Sequence, residues 1–396
     1  METFKFLLTS TFYPPYHLGG DAVHVKYLAE ALVKTGHEAH VFHSLDAYRI
    51  KRKGRPEKAE SDGVHTHVVK TRFNLSSYAT YILGNSSSVI KKFERLTEDV
   101  KPDVVHHHNI SLLGYGILKK RSDCLNLYTA HDYWLICQET NLFKNGSEIC
   151  GEPSCFLCAL RCGRLPQFWR LRKGFKETVR DIDIFIAPSN YIRKRISQDL
   201  DVKAVTIPNF VPEPVGSIES SGFSNFFLYA GVLEKHKGIL SLINIYKEIS
   251  GEVDARLLIN GSGPLEDYIK EFVKRNELEG KIIPLGWVTR DFLYRLLNDA
   301  NALIMPSIWA ENCPLIALEA LSVGTPVIAS SNGGLPEILE KIHKGLLYKS
   351  SDELKEILAN FDRKKYASQP RIKDIYKEYY SPIAYLKKYL ELVTAR

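Results

Sequence analysis

Two glutamates, Glu311 and Glu319, stand eight residues apart in a segment whose pattern could place both carboxylates on one ligand. Residues 302–305 (ALIM) and 327–329 (VIA) are typical of buried strands, and the pattern predicts a helix over 314–322 between them. Glu311 would then lie in the loop after a strand, beside a helix N-terminus. Ligands of open α/β sheets bind at that end of the strands. The spacing therefore predicts a ligand site built on Glu311.

The ends of this predicted helix carry their own signals. Pro314 suits a first helical position, where its missing N–H leaves no donor unsatisfied. Gly324 suits the left-handed residue that ends a helix. Backbone N–H groups in the stretch Asn312, Cys313, Pro314 and Leu315 could bind a phosphate. Glu319 lies deeper on an apolar helix, where a carboxylate needs hydrogen-bonding partners, and two ribose hydroxyls would serve.

The whole run resembles the retaining, two-domain nucleotide-sugar glycosyltransferases of family four, also called glycosyl transferases group 1. Their signature is E-x7-E, then a Gly-x-Pro-Val strand, here 324–327, and a Gly-Gly-x-Pro-Glu turn, here 333–337. The alternative is two surface glutamates on an ordinary βαβ unit, because a bare E-x7-E is common by chance. The full order favours the family. It implies a glycosyltransferase-B (GT-B) architecture, an α/β fold of two Rossmann-like domains facing each other across a cleft.

Length and composition agree with that fold. The 396 residues predict two domains, or three at most, and 44% hydrophobic with 25% charged residues is ordinary for a globular protein. No run of eighteen apolar residues is present, and the first fifteen residues lack the small-residue cleavage site of a secretory signal. We therefore expect a cytoplasmic protein.

Strands alternate with helical patterns along the chain, which predicts parallel sheets. The Pro-rich stretch 207–217 is typical of an interdomain linker. We predict an N-terminal Rossmann-like, acceptor-binding domain over 1–207 and a C-terminal Rossmann-like domain over 208–378 that binds the nucleotide-sugar donor. The resemblance implies that a last helix, 379–396, returns to the first domain. The predicted strands are 4–9, 38–43, 103–106, 125–129, 182–186, 204–207, 226–230, 256–259, 282–284, 302–305 and 327–329.

In the first domain, Gly19 and Gly20 are predicted to lie in the loop between the first strand and the first helix. The resemblance implies that this loop faces the donor phosphates and the acceptor. His131 follows a predicted strand and matches the family's histidine that contacts the donor sugar. A hydrogen-bonded structural histidine is the alternative at this position.

The resemblance also places His24, His108 and Asp132 on the acceptor side. His106, His107 and His108 alternate at the end of a strand, so only His106 and His108 share a face. A metal there would lack a third ligand, and a polar acceptor surface is favoured instead.

In the second domain, residues 231–238 (GVLEKHKG) match the family's Gly-Arg-Leu…Lys-Gly element, in which Arg and Lys hold the diphosphate. Gly231 and Lys237 are kept, but Val232 replaces the Arg, so one cation that would stabilise the leaving group is missing. Gly261 fits the family's turn near the nucleotide. The resemblance implies three catalytic residues, namely Glu311, His131 and Lys237, with Glu319 on the ribose, and no catalytic metal.

Five cysteines form a separate group with the spacing C-x12-C-x4-C-x2-C-x3-C, in an insertion spanning about 137–162. The residues are Cys137, Cys150, Cys155, Cys158 and Cys162. A reducing cytoplasm argues against disulfides. Close Cys-x2-Cys spacing with two further thiols suits a structural zinc ion, or else an iron–sulfur cluster. We expect Cys150, Cys155, Cys158 and either Cys137 or Cys162 as ligands. Free thiols without metal are the alternative.

The net charge of +7 is concentrated in the segment 161–195, which has ten Lys or Arg against three acids and includes Phe168, Trp169 and Phe175. One interpretation is a basic, aromatic surface that contacts anionic lipid on the inner face of the cell membrane, as a peripheral protein does. The other is a solvated helix face. No nucleic-acid recognition module accompanies this segment, so nucleic acid is not an expected partner.

The expected partners are a UDP- or GDP-sugar donor and a glycan or lipid-linked acceptor. The sequence therefore predicts a retaining hexosyltransferase of polysaccharide, glycolipid or other glycoconjugate biosynthesis. The alternatives are a related GT-B enzyme, such as an epimerase, and a catalytically impaired protein that only binds nucleotide sugars. The second is raised by Val232.

Overall fold

The chain folds into two compact units. The structure, a computed structural model, describes residues 2–51, 62–71, 74–120, 124–146, 148–151, 153–366 and 369–395. Unit 1 comprises Met1–Asn145, Cys150–Asn209 and Tyr385–Arg396, and unit 2 comprises Gly146–Ile149 and Phe210–Ala384. The division follows Asn209, where the sequence had predicted a boundary after residue 207, and the C-terminal stretch enters unit 1 at Tyr385 and not at 379.

Unit 1 is built on a seven-stranded sheet in the order β3-β2-β1-β4-β5-β8-β9, in which neighbouring strands are parallel. The strands are β1 Lys5–Thr9, β2 Glu38–Ser44, β3 His65–Val69, β4 Val104–His107, β5 Leu125–Thr129, β8 Ile184–Ala187 and β9 Ala204–Thr206. Two short strands, β6 Phe143–Lys144 and β7 Glu148–Ile149, pair outside this sheet, and β7 belongs to the stretch Gly146–Ile149 that is counted in unit 2. The helices are α1 Gly19–Lys34, α2 Leu45–Lys51, α3 Leu75–Leu83, α4 Ser87–Val100, α5 Cys155–Arg161, α6 Lys173–Arg180 and α7 Asn190–Leu200.

Unit 2 is built on a six-stranded parallel sheet in the order β12-β11-β10-β13-β14-β15. The strands are β10 Phe226–Ala230, β11 Arg256–Asn260, β12 Ile282–Gly286, β13 Ala302–Met305, β14 Val327–Ser330 and β15 Leu347–Tyr348. The helices are α8 Ile239–Glu248, α9 Glu266–Arg275, α10 Arg290–Asp299, α11 Leu315–Val323, α12 Leu335–Leu339, α13 Ser351–Ala359, α14 Arg363–Tyr366 and α15 Gln369–Tyr379. The last helix, α16 Pro382–Thr394, belongs to unit 1 from Tyr385 onward.

Each sheet has the strand order of a doubly wound Rossmann-like fold, in which the order reverses beside the first strand. In unit 1 the reversal lies between β1 and β4, and in unit 2 between β10 and β13. The central strands are buried on both faces, as the wholly apolar ALIM of β13 illustrates. The loops that follow these four strands therefore frame the expected ligand-binding edge of each sheet.

The eleven predicted strands are present, with ends that differ by one or two residues. Four strands were not predicted, namely β3 (HTHVV), β15 (LY) and the two-residue strands β6 and β7. β3 lies at the sheet edge with only its last residue buried, so it lacks an apolar run, and β15 has only two residues. In α1, the predicted apolar positions Val25, Leu28, Ala29 and Leu32 are all buried.

The C-terminal helix α16 contributes aromatic side chains to the core of unit 1. Tyr389 is fully buried, with its ring centroid 5.9 Å from that of Phe6, and its hydroxyl lies 2.9 Å from His106 Nδ1. Tyr385 contacts His24 edge to face at 5.4 Å. None of the described helices is long and apolar enough to cross a membrane.

Candidate active site

In unit 2, Lys237 and Glu311 form an ion pair at the point where the strand order reverses. Lys237 follows β10 in a short 3-10 turn, and Glu311 lies in the loop after β13. Lys237 Nζ lies 2.7 Å from Glu311 Oε1 and 4.7 Å from the centroid of the Trp309 ring. Ser307 donates a second hydrogen bond, of 2.7 Å, to the same carboxylate oxygen. Two loops far apart in sequence thus meet at one buried carboxylate.

Two glycines allow these loops to pack so closely. Gly238 has φ +72°, and a Cβ there would lie 1.8 Å from the carbonyl oxygen of Pro306. Gly333 has φ +67°, and its Cβ would lie 2.2 Å from the carbonyl oxygen of Glu311, whose carbonyl also accepts a 2.6 Å bond from Gly334 N–H. Side chains at either position would push the backbone of the ligand loop away. The Gly-Gly turn therefore packs against the backbone of Glu311 and holds it in place.

The environment of Glu311 keeps its carboxylate charged. The side chain is buried, which opposes ionisation, but the charge of Lys237 and the bonds from Lys237 and Ser307 outweigh burial. Together they hold the pKa of Glu311 below its usual value. Glu311 is consequently a hydrogen-bond acceptor at neutral pH, suited to binding hydroxyl groups.

Glu319 is also buried, on α11, and its partner is a cation that the sequence did not indicate. Arg290 Nη2 lies 2.6 Å from Glu319 Oε1, at the start of the neighbouring helix α10. Burial raises the pKa of Glu319 above its usual value, and the charge of Arg290 opposes that rise. The expected need for a polar partner is thus met inside the protein, with the second carboxylate oxygen left for a further contact.

Helix α11 begins at Leu315, one residue later than predicted. Pro314 is its N-cap and has an extended backbone, with φ −69° and ψ 128°, because a helical conformation does not begin until the next residue. No side chain caps this end of the helix. Asn312 and Cys313 are buried beside it. Gly324 ends the helix with φ +85°, as predicted. The first-turn N–H groups of α11 therefore face the loop that carries Glu311.

The remaining predicted donor-side residues lie in the loops after β10 and β11. Gly231 N–H bonds the carbonyl of Asn260, and a Cβ on Gly261 would lie 1.9 Å from the carbonyl of Gly231, so these loops touch through their backbones. Val232, which stands where the family has arginine, is 42% exposed and offers no charge. Lys237 is accordingly the cation of this element that reaches Glu311.

In unit 1, His24, His108 and His131 form one aromatic group. His108 Nδ1 lies 2.9 Å from His131 Nε2, and the His24 ring centroid lies 4.9 Å from that of His131. The ring centroids of His106 and His108 lie 4.0 Å apart with the rings tilted, whereas His107 lies on the other face against Thr9, which is the alternation that the sequence predicted. Burial depresses the pKa of His131 to about 3 and lowers those of His24, His106 and His108 well below the usual value. These imidazoles are neutral at physiological pH.

Beside the histidines, two buried carboxyl groups share an amide. Asn109 Nδ2 donates to Asp21 Oδ2 at 2.8 Å and lies 3.5 Å from Asp132 Oδ2, while Trp134 N–H donates to Asp132 Oδ1 at 2.9 Å. Burial raises the pKa of Asp132 to about 7, opposed by the bond from Trp134, and raises the pKa of Asp21 as well. Asp132 thus titrates near neutral pH.

Gly19 and Gly20 are the first residues of α1, not part of the preceding loop as the sequence analysis expected. The helix begins two residues earlier because Gly19 accepts φ +82° at its start, where a Cβ would lie 2.8 Å from Asp21 Oδ1. The two glycines still follow β1 at the point where the sheet order reverses, as does Asp21.

The cysteines of the insertion lie together in unit 1. Cys137, Cys150, Cys155 and Cys158 line one small cavity, and Cys162 does not line it. The five cysteines of the insertion are free thiols. Within the described part of the chain, three potential metal-ligand atoms approach within 4.8 Å of one another only at Glu38, His40 and His65, on the neighbouring strands β2 and β3.

The segment 161–195 is only in part a surface. Trp169 and Phe175 are buried, contrary to the expected aromatic stripe, because they pack with Trp134 and Tyr115 in the interior of unit 1. Phe168 is 67% exposed. Arg170 also turns inward, onto the Trp169 ring.

Sequence reasoning missed Arg290, Ser307 and Asn109. None of them belongs to a motif. Arg290 and Asn109 contact partners that are distant along the chain, and the contact of Ser307 with Glu311 depends on the conformation of one loop. Asn109 was the most accessible to prediction, since it directly follows the histidines at the end of β4.

Comparison with known proteins shows the family to which the chain belongs. The family model described as Glycosyltransferase Family 4 matches residues 18–213, and that described as Glycosyl transferases group 1 matches residues 217–370. An uncharacterized glycosyltransferase of Methanocaldococcus jannaschii, MJ1607, is 28% identical over 384 residues, covering 95% of this chain and 94% of its own.

Solved structures show the same fold at low identity. Sucrose-phosphate synthase from Thermosynechococcus elongatus superposes with a TM-score of 0.73 at 18% identity, over 99% of this chain and 100% of its own. The Anabaena protein HepE, solved in complex with UDP, gives 0.69 at 17% identity over 99% and 100%. The two family models, the full-length relative and the fold together identify the chain as a family 4 glycosyltransferase with the GT-B fold.

Proposed function

We propose that this glycosyltransferase moves a sugar from a nucleoside-diphosphate sugar, a UDP- or GDP-sugar, to an acceptor hydroxyl with retention of the anomeric configuration. The observation that carries the proposal is the Lys237–Glu311 pair beside the uncapped start of α11. It joins a cation, helix N–H groups and a charged carboxylate at one edge of the unit 2 sheet. A diphosphate and a sugar hydroxyl are the groups that these three features bind best.

Each of these groups binds the part of the donor that matches its chemistry. Lys237 and the first-turn N–H groups of α11 stabilise the diphosphate as it leaves, Glu311 accepts bonds from sugar hydroxyls, and Glu319 binds the ribose hydroxyls. HepE was solved with UDP and with glucose, which supports a nucleoside diphosphate in a fold of this kind. In this proposal the departing phosphate accepts the acceptor proton, so no carboxylate attacks and no catalytic metal is needed.

Unit 1 supplies the acceptor side. His131 donates one hydrogen bond to the donor sugar as a neutral imidazole, since its pKa of about 3 leaves it uncharged. His24, His108 and Asp132 surround it and orient the acceptor hydroxyl. The acceptor is a glycan or a lipid-linked saccharide, and the product belongs to glycoconjugate biosynthesis.

The test is a binding and turnover panel with the full chain. Thermal shifts and calorimetry with UDP, GDP and ADP identify the nucleotide, because a ligand of the folded state raises the melting temperature. Release of the matching nucleoside diphosphate from its sugar conjugate then measures turnover, without added Mg²⁺ or Mn²⁺. Proton NMR of the product reports the anomeric configuration.

Variants separate the assigned roles. Glu319→Ala should abolish the nucleotide-dependent thermal shift, whereas Glu311→Ala should reduce turnover far more than UDP or GDP affinity. Glu271→Gln, an exposed glutamate on α9, is the matched control. Normal sugar transfer by both site variants, or inversion at the anomeric carbon, would overturn the proposal.

We also propose that unit 1 docks on anionic membrane, near a lipid-linked acceptor. Leu157, Leu160, Leu165, Phe168 and Leu171 are each 59–67% exposed, and Arg161, Arg164, Arg172 and Lys173 are exposed among them. Exposed apolar side chains interleaved with cations are the combination that binds the interface of an anionic bilayer.

Vesicle flotation tests the docking. The protein should float with vesicles containing phosphatidylglycerol and remain in solution with pure phosphatidylcholine. The double variant Phe168→Ser/Leu171→Ser should lose flotation while keeping its nucleotide-dependent thermal shift. Val215→Ser, which removes an exposed valine of unit 2, is the control. Equal flotation of both variants would contradict this surface as the docking site.

A further inference from the structure

Four thiols of unit 1 converge on one cavity outside the candidate active site. Cys155 and Cys158 lie three apart on α5, which places them on one face of the helix. Cys137, in the turn after β5, and Cys150, after β7, approach from the other side. The cavity measures about 20 Å³, which is room for one ion.

One of these sulfurs accepts a hydrogen bond from the backbone. Asn145 N–H donates to Cys158 Sγ at 3.2 Å. The segment between Cys137 and Cys150 contains Thr140, Leu142 and Asn145 at φ +64°, +50° and +54°. A leucine at positive φ is strained, and such strain persists only where the surroundings hold it.

A buried cation lies beside the same thiols. Arg170 interacts electrostatically with Cys137 and Cys155, and its Nη1 donates to the carbonyl of Trp134 at 2.6 Å. Its Nη2 is buried and finds no hydrogen-bond partner within the described residues. A buried nitrogen without a hydrogen-bond partner is costly in the interior. Four thiolates around a divalent ion carry a net negative charge, which Arg170 would balance.

The thiols bind a metal only by losing their protons. Metal binding therefore releases protons and depends on pH. No three of the described cysteine sulfurs lie mutually within 4.8 Å, whereas tetrahedral Zn–S bonds place sulfurs roughly 3.8 Å apart. Binding therefore draws the turn that contains Cys137 and the segment of Cys150 toward α5.

We propose that Cys137, Cys150, Cys155 and Cys158 form a structural tetrathiolate zinc site. Four protein ligands leave no open coordination position, so the ion takes no part in sugar transfer. Its effect is to clamp the turn after His131 and Asp132 to α5. Cys162, which does not line the cavity, is outside the ligand set.

Metal analysis of the full chain tests the site. Protein purified with a thiol reductant and without chelator should contain about one zinc per chain by plasma mass spectrometry, and Cys137→Ser and Cys158→Ser should each contain less than about a tenth of that. Cys162→Ser and Cys124→Ala are the matched controls and should keep full zinc.

A second measurement on the wild-type chain does not depend on variants that fold. Replacing zinc by Co²⁺ should produce the strong visible absorption of tetrahedral thiolate cobalt, and titration with a mercurial should release the ion as four thiols react. Wild-type protein without zinc, iron with acid-labile sulfide in its place, or equal zinc loss in Cys162→Ser would overturn the proposal.

Discussion

Lys237 Nζ and Glu311 Oε1 lie 2.7 Å apart, joining the loops that follow β10 and β13 across 74 positions of sequence. Glu311 is 4% exposed, so its charge depends on this partner. The pair has two roles, because the cation that neutralises a buried carboxylate is also the one proposed to meet the leaving phosphate. Substitutions here should therefore change stability and turnover together.

Lys237→Met should leave Glu311 as a buried carboxylate without its cation. The expected loss of unfolding free energy is about 3 kcal/mol, the usual cost of breaking a buried pair on one side. Urea denaturation measures it, and adding Glu311→Gln should recover part of the loss. Lys270→Met removes the cation of an exposed pair with Glu266 and should change little. Equal effects of the two lysine variants would contradict a coupled pair.

Glu319→Gln should stabilise the protein slightly while weakening nucleotide binding. Burial raises the pKa of Glu319, so ionisation of this carboxyl group costs more free energy in the folded state than in the unfolded state. The cost of that ionisation is absent below the ordinary carboxyl pKa and increases as the pH rises to the folded pKa. Gln removes it. Thermal unfolding at pH 5 and pH 8 should show the gain only at the higher pH, and UDP or GDP calorimetry should show the lost affinity.

Asp132→Asn should change how stability depends on pH. Between about pH 4 and 7 the folded state binds a proton at Asp132 that the unfolded state has lost, so stability from this group falls as the pH rises. The variant should gain about 2 kcal/mol relative to wild type between pH 5 and 8. The neighbouring histidines have depressed pKa values, which make stability rise with pH. This contribution is the same in the variant and in the wild type, so it cancels in the difference. Urea denaturation at the two pH values gives this difference, and Asp201→Asn, at an exposed aspartate of unit 1, should show none.

Val232→Arg should tighten binding of the nucleoside diphosphate. Val232 is 42% exposed in the loop that carries Lys237, so a guanidinium fits without burial. One charge-assisted bond to phosphate should lower the Kd for UDP or GDP about tenfold. Calorimetry measures it, and Val232→Gln, which has length without charge, should bind as wild type does. An unchanged Kd would mean that the diphosphate lies away from this loop.

The sequence predicted the elements well where the chain alternates long apolar runs with amphipathic helices, as in β13, α11 and β14. It could not predict the partner of Glu319, because Arg290 lies 29 residues away and reaches it only when α10 packs on α11. The sequence predicted that the aromatic side chains of 161–195 lie on the surface, although Trp169 is buried. Local charge density does not reveal which side chains of an irregular segment turn inward.

The choice among the five cysteines shows the same limit. Spacing left Cys137 and Cys162 equivalent as a fourth partner of Cys150, Cys155 and Cys158. Only the turn at Thr140 and Leu142, with its unusual backbone, brings Cys137 to the cavity. Positive φ at non-glycine residues carries no sequence signal, so this part of the geometry had to come from the structure.

The burial of Tyr389 between Phe6 and His106 has a consequence for the order of synthesis. The ribosome synthesises residues 1–145 and 150–209 long before residues 385–396. The aromatic core of unit 1 therefore cannot be completed until the whole of unit 2 has been synthesised. Unit 2 is complete as soon as residue 384 has been synthesised. An expression fragment that ends at residue 209 would expose the side chains that Tyr385 and Tyr389 cover, and chaperones would be expected to hold it.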